Sequence, residues 1–118
     1  ASKNDIALIL SSIYKWKDAW KYSNIEEYLS FYSKDFKRAD QSDFKKFETQ
    51  KRQIFAKNES KTINLFNMDI SPYPNSSKKK IYKAVMDEEY VSPSVKFVGK
   101  KELYFEIDNN KVKILSED

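Results

Sequence analysis

The chain has 118 residues, 22 Lys and Arg against 18 Asp and Glu, no His, no Cys and a formal net charge of +4. Without Cys or His there is no disulfide, thiolate or imidazole metal site, thiol nucleophile or Ser-His-Asp triad. A single glycine, Gly99, excludes the glycine-rich phosphate loops. No metal and no cofactor is therefore expected. Eight Phe, eight Tyr and two Trp supply rings for a core. The length suits one domain over 1–118. The longest apolar run, Ile6 to Leu10, is far shorter than the roughly 20 residues of a membrane span and lacks signal-peptide flanks. The basic run Lys78-Lys79-Lys80 sits beside Pro72, Pro74 and Ser77 and reads as a solvated turn, not a nucleic-acid site.

Ile6, Ile9, Leu10, Ile13, Trp16 and Trp20 recur at three- and four-residue steps and predict a helix over about 4–22, capped by Ser2 or Asn4. Ser23 or Asn24 caps a second helix, whose inner face is Ile25, Tyr28, Leu29 and Tyr32, with Phe36 following. Ala39 to Ser42 is a loop. Ser42 or Asp43 caps a third helix to about Asn58, with Phe44, Phe47, Lys51, Ile54 and Phe55 on one side. The period then changes. Thr62–Ile70 and Lys80–Val91 read as strands, with a turn over Pro72–Ser77. Ser92-Pro93-Ser94 turns the chain into Val95–Phe97, an interruption at Gly99, and Lys101–Ile107. Asp108-Asn109-Asn110 is a hairpin signal before a last strand with Val112 and Ile114. Helices followed by strands predict an α+β fold: three N-terminal helices on a curved antiparallel sheet of about four strands, enclosing a cone.

Trp16-x-x-Ala19-Trp20, then Asn24-Ile25-x-x-Tyr28-Leu29-x-x-Tyr32-Ser33-x-x-Phe36, resembles the opening of nuclear-transport-factor-2-like (NTF2-like) domains. The nearest variety is the accessory domain of bacterial L,D-transpeptidase-fold peptidoglycan enzymes. Ile63-x-Leu65-x-Asn67-x-x-Ile70, Met86-x-Glu88-x-Tyr90, Gly99-Lys100-Lys101-x-Leu103-x-Phe105 and Lys113-Ile114-x-x-Glu117 resemble its later strands. Asn24, Val112 and Phe47 depart from the usual acidic residue and two Trp. The resemblance implies a cystatin-like cone and a non-catalytic module of the cell envelope or periplasm. Its partner would be a peptidoglycan fragment or a cell-wall enzyme, with a homodimer through the sheet as a competing interface reading. A small isomerase or cyclase is the third reading, which would need a carboxyl group of raised pKa and a Tyr inside the cone.

The predicted ligand pocket comprises Trp16, Trp20, Tyr28, Tyr32, Met86, Glu88, Lys101 and Tyr104. The rings offer stacking surface; Tyr hydroxyls and Trp N–H groups orient polar ligands. Lys101 shares the face of Leu103 and Phe105, so it needs a carboxylate, for which Glu88 on the preceding strand is the natural choice. Tyr104 has the opposite phase and joins this pocket only if Gly99 marks a bulge. Asp87-Glu88-Glu89 alternate in direction and do not form a metal site.

Overall fold

A computed structural model describes residues 3–38, 40–76 and 79–118. Ser2, Ala39, Ser77 and Lys78, which enter the cap, loop and basic-turn readings, lie outside the described residues. Helix α1 (Lys3–Lys21) buries Ile9, Ile13, Trp16 and Trp20 of the predicted stripe, leaves Ile6 and Leu10 half-buried, and buries Ala19 beside them. Asn4 lies inside this helix and does not precede it. The helix ends where Ser23 takes a left-handed φ of 56° and Asn24 N–H reaches back to the Ala19 carbonyl at 2.8 Å. Asn24 then caps α2 (Ile25–Ser30) by accepting from Glu27 N–H. Asp43 caps α3 (Phe44–Ala56) by accepting from Lys46 N–H at 3.1 Å.

The second helix is shorter than its predicted stripe. Tyr32 and Phe36 lie on strand β1 (Tyr32–Arg38), which runs parallel to the last strand. A four-residue step returns to the same face of a helix and of a strand, so Tyr28, Tyr32 and Phe36 could not separate the two. Tertiary pairing decided it: Ile114 N–H donates to the Phe31 carbonyl at 2.8 Å. The sheet therefore has five strands, not about four, and one parallel pair among antiparallel ones. Its order is β1-β5-β4-β3-β2, with β2 Thr62–Pro72, β3 Lys80–Val91, β4 Lys96–Asp108 and β5 Lys111–Glu117.

The central β3–β4 ladder runs unbroken from Lys80 opposite Ile107 to Val91 opposite Lys96. Gly99 is therefore neither an interruption nor a bulge. The irregularities lie elsewhere. Register slips between Phe66 and Asp69 on β2, where Asn67 has φ 53° and donates to Asp87 at 2.8 Å. It slips again on β5 opposite Tyr104 and Phe105. Such bulges bend and twist a strand and re-aim its side chains. Asn109 and Asn110, both at positive φ, close the β4–β5 hairpin as predicted.

The helices cover one face of the sheet. Tyr82, Ala84 and Met86 from β3, Leu103, Phe105 and Ile107 from β4 and Ile114 from β5 pack beneath them. Aromatic rings fill the interior: Tyr28 lies 4.8 Å from Phe55, and Phe47 lies 4.7 Å from both Tyr32 and Phe36, centroid to centroid. The outer face is laced with ion pairs, Lys83–Glu102 at 3.7 Å, Lys100–Asp87 at 3.5 Å and Lys79–Glu106 at 3.3 Å. Among the described residues no helix is long and apolar enough to cross a membrane. Trp16 is 1% exposed at the centre of the packing. Trp16→Ala is expected to lower unfolding free energy by about 3–5 kcal/mol in urea titrations.

Candidate functional site: a charged cavity at the open end of the cone

The site begins with a buried polar network. Glu117, 3% exposed at the end of β5, accepts from the Tyr32 hydroxyl at 2.8 Å and from Lys101 Nζ at 2.9 Å. Tyr32 Oη also accepts from Trp16 Nε1 at 2.9 Å. It lies 3.0 Å from Tyr28 Oη, and because its own proton is on Glu117, Tyr28 is the donor there. Arg38 Nη2 stands 4.0 Å from Glu117. Lys101 Nζ lies 3.5 Å from Glu88 Oε1, the pairing the sequence predicts, and 5.9 and 5.8 Å from the Trp16 and Trp20 ring centroids. The ammonium is thus held between two carboxylates and two indole rings.

The electrostatics follow from that geometry. Burial pulls Lys101 down, but Glu117 and Glu88 outweigh it and raise its pKa above the ordinary lysine value. Burial likewise pushes Glu117 up, and Lys101 and Lys51 outweigh it, leaving its pKa below the ordinary value. Tyr28 and Tyr32 are raised well above a normal phenol, first by burial and then by the Glu117 charge.

Beside this network a cavity of about 290 Å³ opens between α3, the end of α1 and the β3–β4 hairpin. Trp20 and Tyr90 form one wall, stacked at 5.4 Å between centroids with planes 15° apart. Glu88 supplies a carboxylate, Lys51 an ammonium, and Ile54 and Phe97 apolar surface. Gly99 is opposite Glu88 in the ladder, and a Cβ built there would come 2.8 Å from Phe97 Cζ. The missing side chain lets the Phe97 ring fold across the strand.

Of the predicted pocket residues, Trp20 and Glu88 line this cavity. Trp16, Tyr28, Tyr32 and Met86 are buried in the core. Lys101 is not on the cavity wall; it holds Glu88 and Glu117 from behind. Tyr104 is outside altogether. The unbroken register past Gly99 keeps it on the outer face, against Tyr73 at 5.0 Å and Lys83 at 5.7 Å. Asp87 and Glu89 also face outward, toward Lys100 and Asn64, while Glu88 faces in. The predicted pocket omits Lys51, Tyr90, Phe97 and Glu117. Lys51 was visible on the inner stripe of α3, and Tyr90 and Glu117 within the strand motifs. Phe97 had no signal apart from its strand phase.

Helices on a bent sheet with a cavity at the open end of the cone define an NTF2-like domain. The chain belongs to the family of Cds6 C-terminal NTF2-like domains, whose sequence model matches residues 8–118. No curated protein matches it. Among solved structures, a lysine-to-alanine variant of the helical cell shape determining protein Pgp2 from Campylobacter jejuni is 39% identical, with a TM-score of 0.95. That similarity covers 100% of this chain and 41% of Pgp2, so the chain spans about two-fifths of its relative's length. Bd1075 from Bdellovibrio bacteriovorus is 22% identical over 93% of this chain and 38% of its own, with a TM-score of 0.80. An NTF2-like protein from Pseudomonas putida KT2440 is 11% identical over 98% of this chain and 85% of its own, with a TM-score of 0.79. The last two share the fold alone.

Lys101 is the close counter-charge of two buried carboxylates, so its loss leaves Glu88 without an ion-pair partner among the described residues and Glu117 with only Arg38 at 4.0 Å. Lys101→Met should destabilise the fold by about 3–5 kcal/mol at neutral pH in urea titrations. The pH dependence has opposite signs in the two proteins. Glu117 has a lowered folded pKa, so its contribution to wild-type stability is complete above its ordinary 4.5 and is lost as pH falls through the folded value. In Lys101→Met, Glu117 loses the main charge that lowers its pKa and protonates more readily when folded, so the deficit should shrink on acidification. A deficit that is constant with pH would contradict the charge assignment.

Proposed function

We propose that this domain is a non-catalytic binding module of the bacterial cell envelope, holding a peptidoglycan-related ligand in the cavity beside Trp20 and Glu88. The observation that carries this reading is the cavity itself: stacked aromatic wall, charged groups of both signs and apolar lining converge at one opening. The similarity to a protein that determines cell shape supports an envelope role. So does the resemblance of the sequence to accessory domains of transpeptidase-fold enzymes. In that setting the domain would hold a cell-wall peptide near a partner enzyme, outside the cytoplasm.

The chemistry of the buried carboxylate favours binding over turnover. Glu117 lies under Tyr32 and is held ionised by Lys101. An isomerase-like acid would need the reverse, a raised pKa and open access. The outer sheet face already carries cross-strand ion pairs, so the cavity is the better candidate for a ligand than a sheet-to-sheet dimer.

Titration with a muropeptide tripeptide, followed by backbone amide chemical shifts, tests the reading. Shifts should cluster on Trp20, Glu88, Tyr90 and the hairpin from Ser92 to Phe97, with Tyr104 unmoved. Val95→Asp, at an exposed position on the cavity rim, should weaken binding about tenfold, equivalent to about 1.4 kcal/mol, with an unchanged urea midpoint. Shifts confined to the outer sheet face, or none up to millimolar muropeptide, would reject it.

A further inference from the structure

If the cavity holds a peptidoglycan-related ligand, two side chains in it specify the ligand's polar chemistry. Glu88 is 5% exposed, and its Oε1 accepts no hydrogen bond among the described residues. Lys101 forms an ion pair with that oxygen at 3.5 Å, while its 2.9 Å hydrogen bond goes to Glu117. That one long ion pair leaves the carboxylate with acceptor capacity that a donor in the cavity would fill. Lys51 is half-buried on α3 and makes no hydrogen bond or ion pair among the described residues; its ammonium lies 5.5 Å from the centre of the Phe47 ring. Burial lowers its pKa, Glu117 opposes that, and the Lys101 and Arg38 charges reinforce it. An anion beside Lys51 would relieve that cost.

The other lysines around the opening are placed differently. Lys61 donates to Ser23 Oγ at 2.6 Å and to the Glu59 carbonyl at 3.3 Å. Lys57 is exposed at the rim. Glu88 and Lys51 line the same cavity, carry opposite charges and do not pair with each other. Trp20, Tyr90, Ile54 and Phe97 supply the apolar wall. The volume of about 290 Å³ is at the small end of ligand pockets, about 300–1,000 Å³, enough for one amino-acid head group but not a whole glycopeptide.

We propose that the cavity selects a zwitterionic amino-acid head group, with its ammonium on Glu88 and its carboxylate on Lys51, presented by a peptide residue that carries both groups free. The aromatic pair covers the aliphatic stem between them. Lys101 is a positioning residue, holding the Glu88 carboxylate in place from 3.5 Å without touching the ligand.

Four probes test this by calorimetry on the intact chain: a muropeptide tripeptide ending in meso-diaminopimelate, its form acetylated on the free amine, its carboxamide, and free diaminopimelic acid. Acetylation and amidation should each weaken binding about tenfold, the scale of one lost charge-assisted hydrogen bond. Lys51→Met should bind the acid and the carboxamide equally. Glu88→Gln should bind the amine and its acetylated form equally. Should Glu88→Gln fold poorly, Lys51→Met alone decides, since Lys51 is half-buried and makes no ion pair among the described residues. Free diaminopimelic acid separates the sources: weaker binding than the tripeptide assigns the head group to a peptide end, whereas equal binding overturns that part of the proposal. Cavity binding that is indifferent to both blocking groups would overturn the zwitterion and leave the envelope-binding reading intact. Absence of muropeptide binding in the cavity would remove both.

Discussion

Lys101 lies at the point where β4, β5 and β3 bring two carboxylates together beneath two indole rings. Burying Glu117 and Glu88 in an aromatic cone is unfavourable unless a cation accompanies them. Lys101 is that cation, 2.9 Å from one and 3.5 Å from the other. Its neighbours are tied to the same charge: Tyr32 donates to Glu117, Trp16 donates to Tyr32, and Tyr28 completes the chain. Every element around the cone except β2 and α3 contributes a donor or acceptor to this network. Packing alone would allow several arrangements of so many similar rings; hydrogen bonds with fixed partners select one.

The bulges make that network attainable. Ile114 and Glu117 are three residues apart, so in a regular strand they would face opposite sides of the sheet. The slip opposite Tyr104 and Phe105 brings both inward, Ile114 into the core and Glu117 onto Lys101. On β1, Tyr32 and Phe36 share a face by their four-residue spacing, so Tyr32 reaches the carboxylate while Phe36 packs on Phe47. By contrast, the unbroken β3–β4 ladder sets Glu88 and Lys101 on one face without correction. The irregular edges thus bend the sheet around a regular centre, and the cavity opens where the hairpin of β3 and β4 extends beyond the helices.

Polarity also changes along the cone. Deep inside, opposite charges meet and satisfy one another. At the mouth, Glu88, held only by the 3.5 Å ion pair to Lys101, and Lys51, which makes no hydrogen bond or ion pair among the described residues, line the cavity between apolar walls. Under the proposed binding role this difference matters, because groups fully satisfied by the protein have little left for a ligand. The same polar asymmetry separates the inner face from the outer one, whose charges are paired across neighbouring strands.

Much of this was legible locally. The stripe from Ile9 to Trp20, the caps Asn24 and Asp43, the span Lys80–Val91 and the Asn109–Asn110 turn depend on periodicity and short-range hydrogen bonds, which neighbouring residues specify. The Glu88–Lys101 pair was also readable, since alternation gave both residues their face. The fate of Tyr32 and Phe36 was not, because their spacing suits helix and strand alike and only pairing with β5 distinguishes them. Nor was the place of Tyr104, which depended on whether Gly99 broke a ladder formed with a distant strand. Glu117 joined the core through a bulge with no composition signal, and Lys51 met the cavity only once α3 had docked. The sequence by itself determined the elements other than β1, the α+β class and the inward Glu88 and Lys101; long-range register and helix docking brought in Tyr32, Glu117 and Lys51 and decided which of these groups satisfy each other, because both depend on contacts between residues far apart in the chain.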